Sequence, residues 1–158
     1  MENRKAAPVS LPKPPIVALD LGEKRIGVAV SDELSISITR LKVLPRTNWK
    51  QLLQDVDAVI RRFDAKTLVI GLPLQANGAS GDAAEQARTV AEKFARSLNV
   101  PVYLQDERLT SVAAEENLRA EGHPKKRISE LVDAEAAAII LRDFIVSEEA
   151  RVLVQPSE

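Results

Sequence analysis

"IVALDLGEKRIGVAVSD", residues 16–32, is the stretch on which the fold reading turns. Two β-rich runs, Ile16–Leu21 and Ile26–Ser31, flank a Gly-containing turn, which is the pattern of a β-hairpin. Inside the first run stands Asp20, with apolar residues on both sides. Asp is depleted in strands, and a carboxylate withdrawn from water needs a partner. Either a cation of the chain pairs with it, Arg25 or Arg108, or it holds a group that is not protein.

Outward from the hairpin, Ile36–Leu44 reads as a third strand, completing a meander that ends at Pro45. Trp49, Leu52, Leu53, Val56, Val59, Ile60 and Phe63 then recur at helical spacing, with Asn48 and Gln51 placed as a capping box. "TLVIGLP" (67–73) is short and wholly apolar, as a strand buried on both faces requires. A second helix puts Ala83, Ala84, Ala87, Val90, Ala91, Phe94, Ala95 and Leu98 on one face, with Asp82 and Glu85 as its capping pair. "VPVYLQ" (100–105) is another buried strand, and "TSVAAEENLRAEG" (110–122) a helix stopped by Gly122 and Pro124. Ser129 caps a last helix to about Val146, and "RVLVQP" (151–156) is a short terminal strand or tail. The expected architecture is α/β: a mixed five-stranded sheet, made of a three-strand antiparallel meander plus two parallel strands, with helices on both faces. Residues 16–147 form the domain, between a disordered Pro-rich tail (1–15) and a C-terminal tail (148–158).

Composition narrows the chemistry. Of 158 residues, 45% are hydrophobic and 28% charged, the balance of a globular domain. No apolar run approaches the ~20 residues that span a bilayer, and no secretory signal is evident, so the expectation is cytoplasmic with no membrane partner. Zero cysteines remove disulfides, thiolate nucleophiles and Cys-ligated zinc. The single histidine, His123, lies in "EGHPKKR" (121–127), which reads as a surface loop, and no G-x-S-x-G turn is present. Any catalysis therefore falls to carboxylates. A net charge of −1 leaves only local basic spots, at Lys24–Arg25, Arg108 and Lys125–Arg127.

Three acids stand out by their settings. Asp20 is inside a strand; Glu107 closes the strand "VPVYLQDE", where ligands of open α/β sheets bind; Asp133 sits in the first turn of the Ala-rich "LVDAEAAAIIL" (131–141). Were the strands of Asp20 and Glu107 neighbours, the three side chains would converge on one point. Clustered carboxylates repel and raise one another's pKa, a conflict that Mg²⁺ or Mn²⁺ relieves while preparing phosphodiester hydrolysis. The alternatives are a salt bridge for Asp20 and a helix N-terminal charge for Asp133, and Asp106 competes with Glu107 for the role of strand-end acid. The D-x-G turn also fits the phosphate loop of the sugar kinase, actin and Hsp70 ATPases. Those proteins clasp ATP between two such domains, more than 158 residues supply, and no Gly-rich P-loop occurs here.

"DLGEKRIGVAVSD" (20–32), "VIGLPLQANG" (69–78), "DERLTS" (106–111) and "VDAEAAAIIL" (132–141) together resemble the YqgF family of Holliday-junction-resolvase-like proteins, regarded as pre-16S rRNA nucleases. The resemblance spans about Ile16 to Ile145. It implies an RNase H-like fold, with Asp20, Glu107 and Asp133 as catalytic and metal-ligating acids for Mg²⁺ or Mn²⁺. Gly22, Lys24, Arg25 and Gly27 match its hairpin motif. The candidate nucleic-acid contacts are Lys24, Arg25, Arg108, Lys125, Lys126 and Arg127. Asn77 stands where many members carry Asp and is left outside the site. The implied partners are structured RNA (pre-16S rRNA) or branched DNA, with a ribosomal particle as a further partner and a monomer or homodimer as the assembly. The rival functions are a junction resolvase and a non-catalytic nucleic-acid-binding or transcription-associated factor.

Overall fold

The structure, a computed structural model, describes residues 11–74, 81–107, 119–122, 125–146 and 151–156. Its elements are β1 (Ile16–Leu21), β2 (Arg25–Ser31), β3 (Ile38–Arg40), β4 (Leu44–Pro45), α1 (Trp49–Phe63), β5 (Thr67–Leu72), α2 (Asp82–Ser97), β6 (Val102–Asp106), α3 (Lys125–Val146) and β7 (Arg151–Leu153). The five expected strands are joined by two short ones, giving a seven-stranded sheet of order β3-β2-β1-β5-β6-β7, with β4 also paired to β2. The meander is antiparallel, whereas β1, β5 and β6 run parallel. The added strands have separate causes. The third strand of the meander breaks into β3 and β4, which pair with opposite ends of β2. The terminal Arg151–Leu153 pairs with β6, so of the two readings of that segment the strand is the one found.

Alternation along the strands sorts the core into two layers. Val17, Leu19, Leu68, Ile70 and Leu104 pack with Leu52, Val56 and Ile60 of α1 and Ala84, Ala87, Ala91 and Phe94 of α2. Ile16, Ala18, Ala29, Val69 and Tyr103 pack on the other face, against Ala137, Ala138, Ile140, Leu141 and Phe144 of α3. β5 lies between β1 and β6 with every residue buried, which is why "TLVIGL" has no polar face.

Helix α3 lies unusually close to the sheet because small residues let it. A Cβ on Gly27 would fall 1.7 Å from the carbonyl O of Asp133, and one on Gly71 would fall 2.4 Å from Cδ1 of Ile140. The first clash is with backbone, which has nowhere to move. The far end of the helix is tied down by β7: Arg151 Nη2 donates to the Phe144 carbonyl at 2.6 Å, and its guanidinium lies 4.6 Å from the Phe144 ring centroid.

Helix starts depart from expectation at three places. Asn48 does cap α1, its Oδ1 accepting from Gln51 N at 2.9 Å, but Gln51 Nε2 turns to Asp55 instead of completing the box. Gly81, not Asp82, is the N-cap of α2, so Asp82 and Glu85 serve as first-turn charges. Helix α3 begins at Lys125, so Ser129 is inside it and "KKR" forms its opening turn instead of a loop. The expected helix over 110–122 falls mostly outside the described residues, as does His123.

Gly27→Ala is expected to destabilise the protein by roughly 2–3 kcal/mol, the scale of overpacking against atoms that cannot yield. A thermal melt unchanged from wild type would show that α3 does not need that approach.

Candidate active site

Asp20 continues the parity of Ile16 and Ala18, so it points to the α3 side of the sheet near the C-terminal end of β1. Its antiparallel partner is Gly27, the residue against which the Asp133 backbone rests. Two elements far apart in sequence thus deliver two carboxylates to one place. Asp133 lies well inside α3, not in its first turn, which removes the helix-terminus explanation for its charge.

The pairing is electrostatically unfavourable. Burial, with the negative charge of Asp133 acting in the same direction, pushes the Asp20 carboxyl up to about 7. Arg25 relieves part of the conflict: its Nε donates to Asp133 Oδ2 at 3.0 Å. That side chain is 46% exposed against 19% for Asp133, so the bridge lies in the range of surface pairs, about 0–1 kcal/mol. Arg25 thus pairs with Asp133, and Arg108, the other partner considered for Asp20, lies outside the described residues.

Glu107 is buried, at 7% exposure, just beyond β6, and its backbone N–H donates to the Leu72 carbonyl at 3.0 Å. The strands of Asp20 and Glu107 are not neighbours. β5 separates them, placing β1 and β6 roughly 10 Å apart. The neighbouring strands on which convergence of the three acids depends are not found, and among the described residues no group of three His, Cys, Asp or Glu side chains is set to hold a metal. Glu107 does lean back over β5, its Cγ 3.8 Å from where a Gly71 Cβ would be. The choice between Asp106 and Glu107 follows from alternation. Tyr103 packs toward α3 and Leu104 toward α1 and α2, so Asp106 belongs to the α1–α2 side and Glu107 to the acid side.

Of the candidate nucleic-acid contacts, Lys24 is exposed at the hairpin turn and Arg25 stands at the edge of the acid pair. Arg108 lies outside the described residues, as do the side chains of Lys125, Lys126 and Arg127. Two features escaped the sequence reading. Arg46 Nη1 donates to the Gly22 carbonyl at 2.7 Å, and its backbone N–H donates to that of Lys24 at 2.9 Å, bracing the turn beside Asp20. Arg40 of β3 bridges both Glu121, at 3.2 Å, and the buried Glu135 of α3. A Glu inside "DAEAAAII" was the available signal, since a charge in an apolar helical run calls for a buried partner.

The carboxylates on this face fit a hard divalent cation. Mg²⁺ takes one or two carboxylates and completes its shell with water and phosphate oxygens, and at Asp20 burial and the neighbouring Asp133 charge both disfavour the ionised form, a conflict that a cation relieves. Without metal, the linkage has a definite sign. Between its ordinary 3.8 and about 7, folded Asp20 holds a proton that the unfolded chain has released, so stability falls as pH rises through that window and is level above it. Asp20→Asn should flatten this slope and raise metal-free stability at pH 8 by roughly 1–3 kcal/mol. Urea melts in a chelator at pH 5 and pH 8 measure both, and a destabilised variant would mean that Asp20 has a stabilising partner.

Comparison with known proteins identifies the family and the fold. The family model described as "RuvX: Holliday junction resolvase" matches residues 15–147. A relative from Anaeromyxobacter sp. (strain Fw109-5), named "Putative pre-16S rRNA nuclease", is 40% identical over 129 residues, covering 82% of this chain and 94% of the relative. One of the same name from Symbiobacterium thermophilum is 38% identical over 136 residues, covering 86% and 94%. Among solved structures, RuvC of Thermus thermophilus in complex with a Holliday junction substrate superposes with a TM-score of 0.53 at 19% identity, covering 87% of this chain and 98% of that one, a likeness of fold. By the extent of the family match and the identity to its relatives, the chain belongs to the RuvX family.

Proposed function

We propose that this chain is a divalent-metal-dependent endonuclease that hydrolyses phosphodiester bonds in the 5′-end maturation of pre-16S rRNA. The observation that carries the reading is the Asp20–Asp133 pair: two carboxylates brought together at the C-terminal end of a parallel strand, with Asp20 pushed up to about 7 by burial and by the charge of Asp133. Family membership supplies the nuclease class, and the names of the relatives supply the RNA.

Asp20 and Asp133 would hold Mg²⁺ or Mn²⁺, with Glu107 as the third acid on the same face. The chemistry supplied by such an ion is Lewis-acid activation of water and charge stabilisation at the phosphate. The chain does the rest. Burial of Glu107 and partial burial of Asp20 limit the screening of their charge by water. The braced hairpin turn presents Lys24 and Arg25 to the nucleic-acid backbone, where contacts position the strand without reading its sequence. A net charge of −1 makes binding of bare RNA weak and salt-sensitive, so a ribosomal particle supplies additional affinity. The setting is the cytoplasm, and no described helix is long and apolar enough to cross a membrane.

The test offers a pre-16S rRNA 5′ fragment and a four-way DNA junction to wild type, Asp20→Asn and Asp133→Asn in Mg²⁺ or Mn²⁺. Cleavage of the RNA is expected, reduced at least about 100-fold in either variant. Cutting of the junction alone would move the assignment to a resolvase, for which a two-fold symmetric dimer is the matching assembly. Activity that survives both substitutions would remove these acids from the mechanism.

A further inference from the structure

We infer that Arg46 is a positioning residue for the acid pair: by tying the β1–β2 turn to α2, it fixes the orientation of the Asp133 carboxylate that the turn faces. The inference rests on the proposed metal-dependent reading and deepens it with a residue from outside the acids and their expected contacts.

The last ladder pair between β1 and β2 is Leu21 with Ile26, so Gly22, Glu23 and Lys24 lie beyond that ladder. Arg46 holds these residues from the side. It directly follows β4, whose Pro45 pairs with Arg25, and this pairing brings it alongside the turn. Its backbone N–H donates to the Lys24 carbonyl at 2.9 Å. Its Nη1 donates to the Gly22 carbonyl at 2.7 Å, a short charge-assisted bond in a partly buried setting. The other terminal nitrogen, Nη2, donates to Gln86 Oε1 of α2 at 3.3 Å. One side chain thus joins the turn to a helix of the core layer opposite α3.

The turn held in this way meets Asp133 at both of its ends. Arg25 Nε donates to Oδ2, and a Cβ on Gly22 would fall 3.4 Å from Oδ1. The two oxygens of one carboxylate therefore face residues on either side of one short turn. A turn that drifts takes both neighbours with it, and the carboxylate loses its preset direction. Metal-ligating carboxylates depend on such support from behind.

Arg46 is also a cation on the turn beside two acids, and as a charge alone it opposes a divalent ion. The two roles differ in sign: losing a support weakens metal binding, whereas losing a repelling charge tightens it. Mn²⁺ binding to the full chain without nucleic acid, followed by electron paramagnetic resonance, reads the difference. Arg46→Met removes the side-chain donors and is expected to bind Mn²⁺ roughly ten-fold more weakly than wild type. Arg46→Lys keeps a donor for the Gly22 carbonyl and is expected to stay within about three-fold of wild type. Gln86→Leu, at an exposed position, loses only the longer bond and is expected to weaken binding about two-fold. Circular dichroism at the binding temperature checks that each variant is folded. Affinity equal to or tighter than wild type in folded Arg46→Met, or in Gln86→Leu should Arg46→Met not fold, overturns the positioning role and leaves the nuclease reading standing. Equal weakening in Arg46→Met and Arg46→Lys also overturns it, since the bond to Gly22 would then not be what matters. Mn²⁺ binding that Asp20→Asn and Asp133→Asn leave unchanged overturns both readings.

Discussion

The closeness of helix α3 to the sheet is the constraint on which the rest of this molecule depends. A helix carrying Asp133 at ordinary packing distance would leave its carboxylate well above the strand that carries Asp20. Gly27 removes the side chain that would hold the helix off, and Ala18, Ala29, Ala137 and Ala138 keep the remaining contact thin. Close packing then has two products. It builds the second hydrophobic layer, and it presses two like charges together where water is scarce.

That repulsion is tolerable because it is local and partly answered. Arg25 meets Asp133 at the surface, and Arg40 meets Glu135 one step deeper along the same helix. The two bridges resemble each other in composition and differ in setting. Glu135 is buried, so removing Arg40 would leave an uncompensated charge, which is strongly destabilising. The Arg25 bridge is open to solvent and contributes little to stability. The helix is thus anchored by the pair nearer β3, while the pair nearer the turn is left adjustable.

Much of this was legible in the sequence, and the failures have physical reasons. The hairpin, the amphipathic helix from Trp49 and the buried strand "TLVIGL" are local patterns of period or composition, and each was found. Asp20 declared itself by being the wrong residue type for a strand interior. What could not be read was lateral order: no local pattern says that β5 is inserted between β1 and β6, and this decides how far Glu107 stands from Asp20. The helix starts were misplaced because Asp82 and Ser129 have capping chemistry, while the chain uses Gly81 for α2 and begins α3 at Lys125. Arg46 was invisible for a similar reason, since it matters only once β4 has paired with the start of β2 and brought it beside Gly22.

The two halves of the acid pair, Asp20 and Asp133, stand far apart in sequence, and the Arg25–Asp133 bridge beside them spans 108 positions. Everything up to β6 can pair locally or with an adjacent unit, but the acid face exists only after α3 has closed over it, a contact of high loop-closure entropy. During synthesis from the N-terminus, the ribosome therefore releases a hairpin bearing Asp20 long before its counterpart emerges. A chain cut short before α3 cannot bring Asp133 to Asp20, so the acid pair forms late instead of accumulating with length.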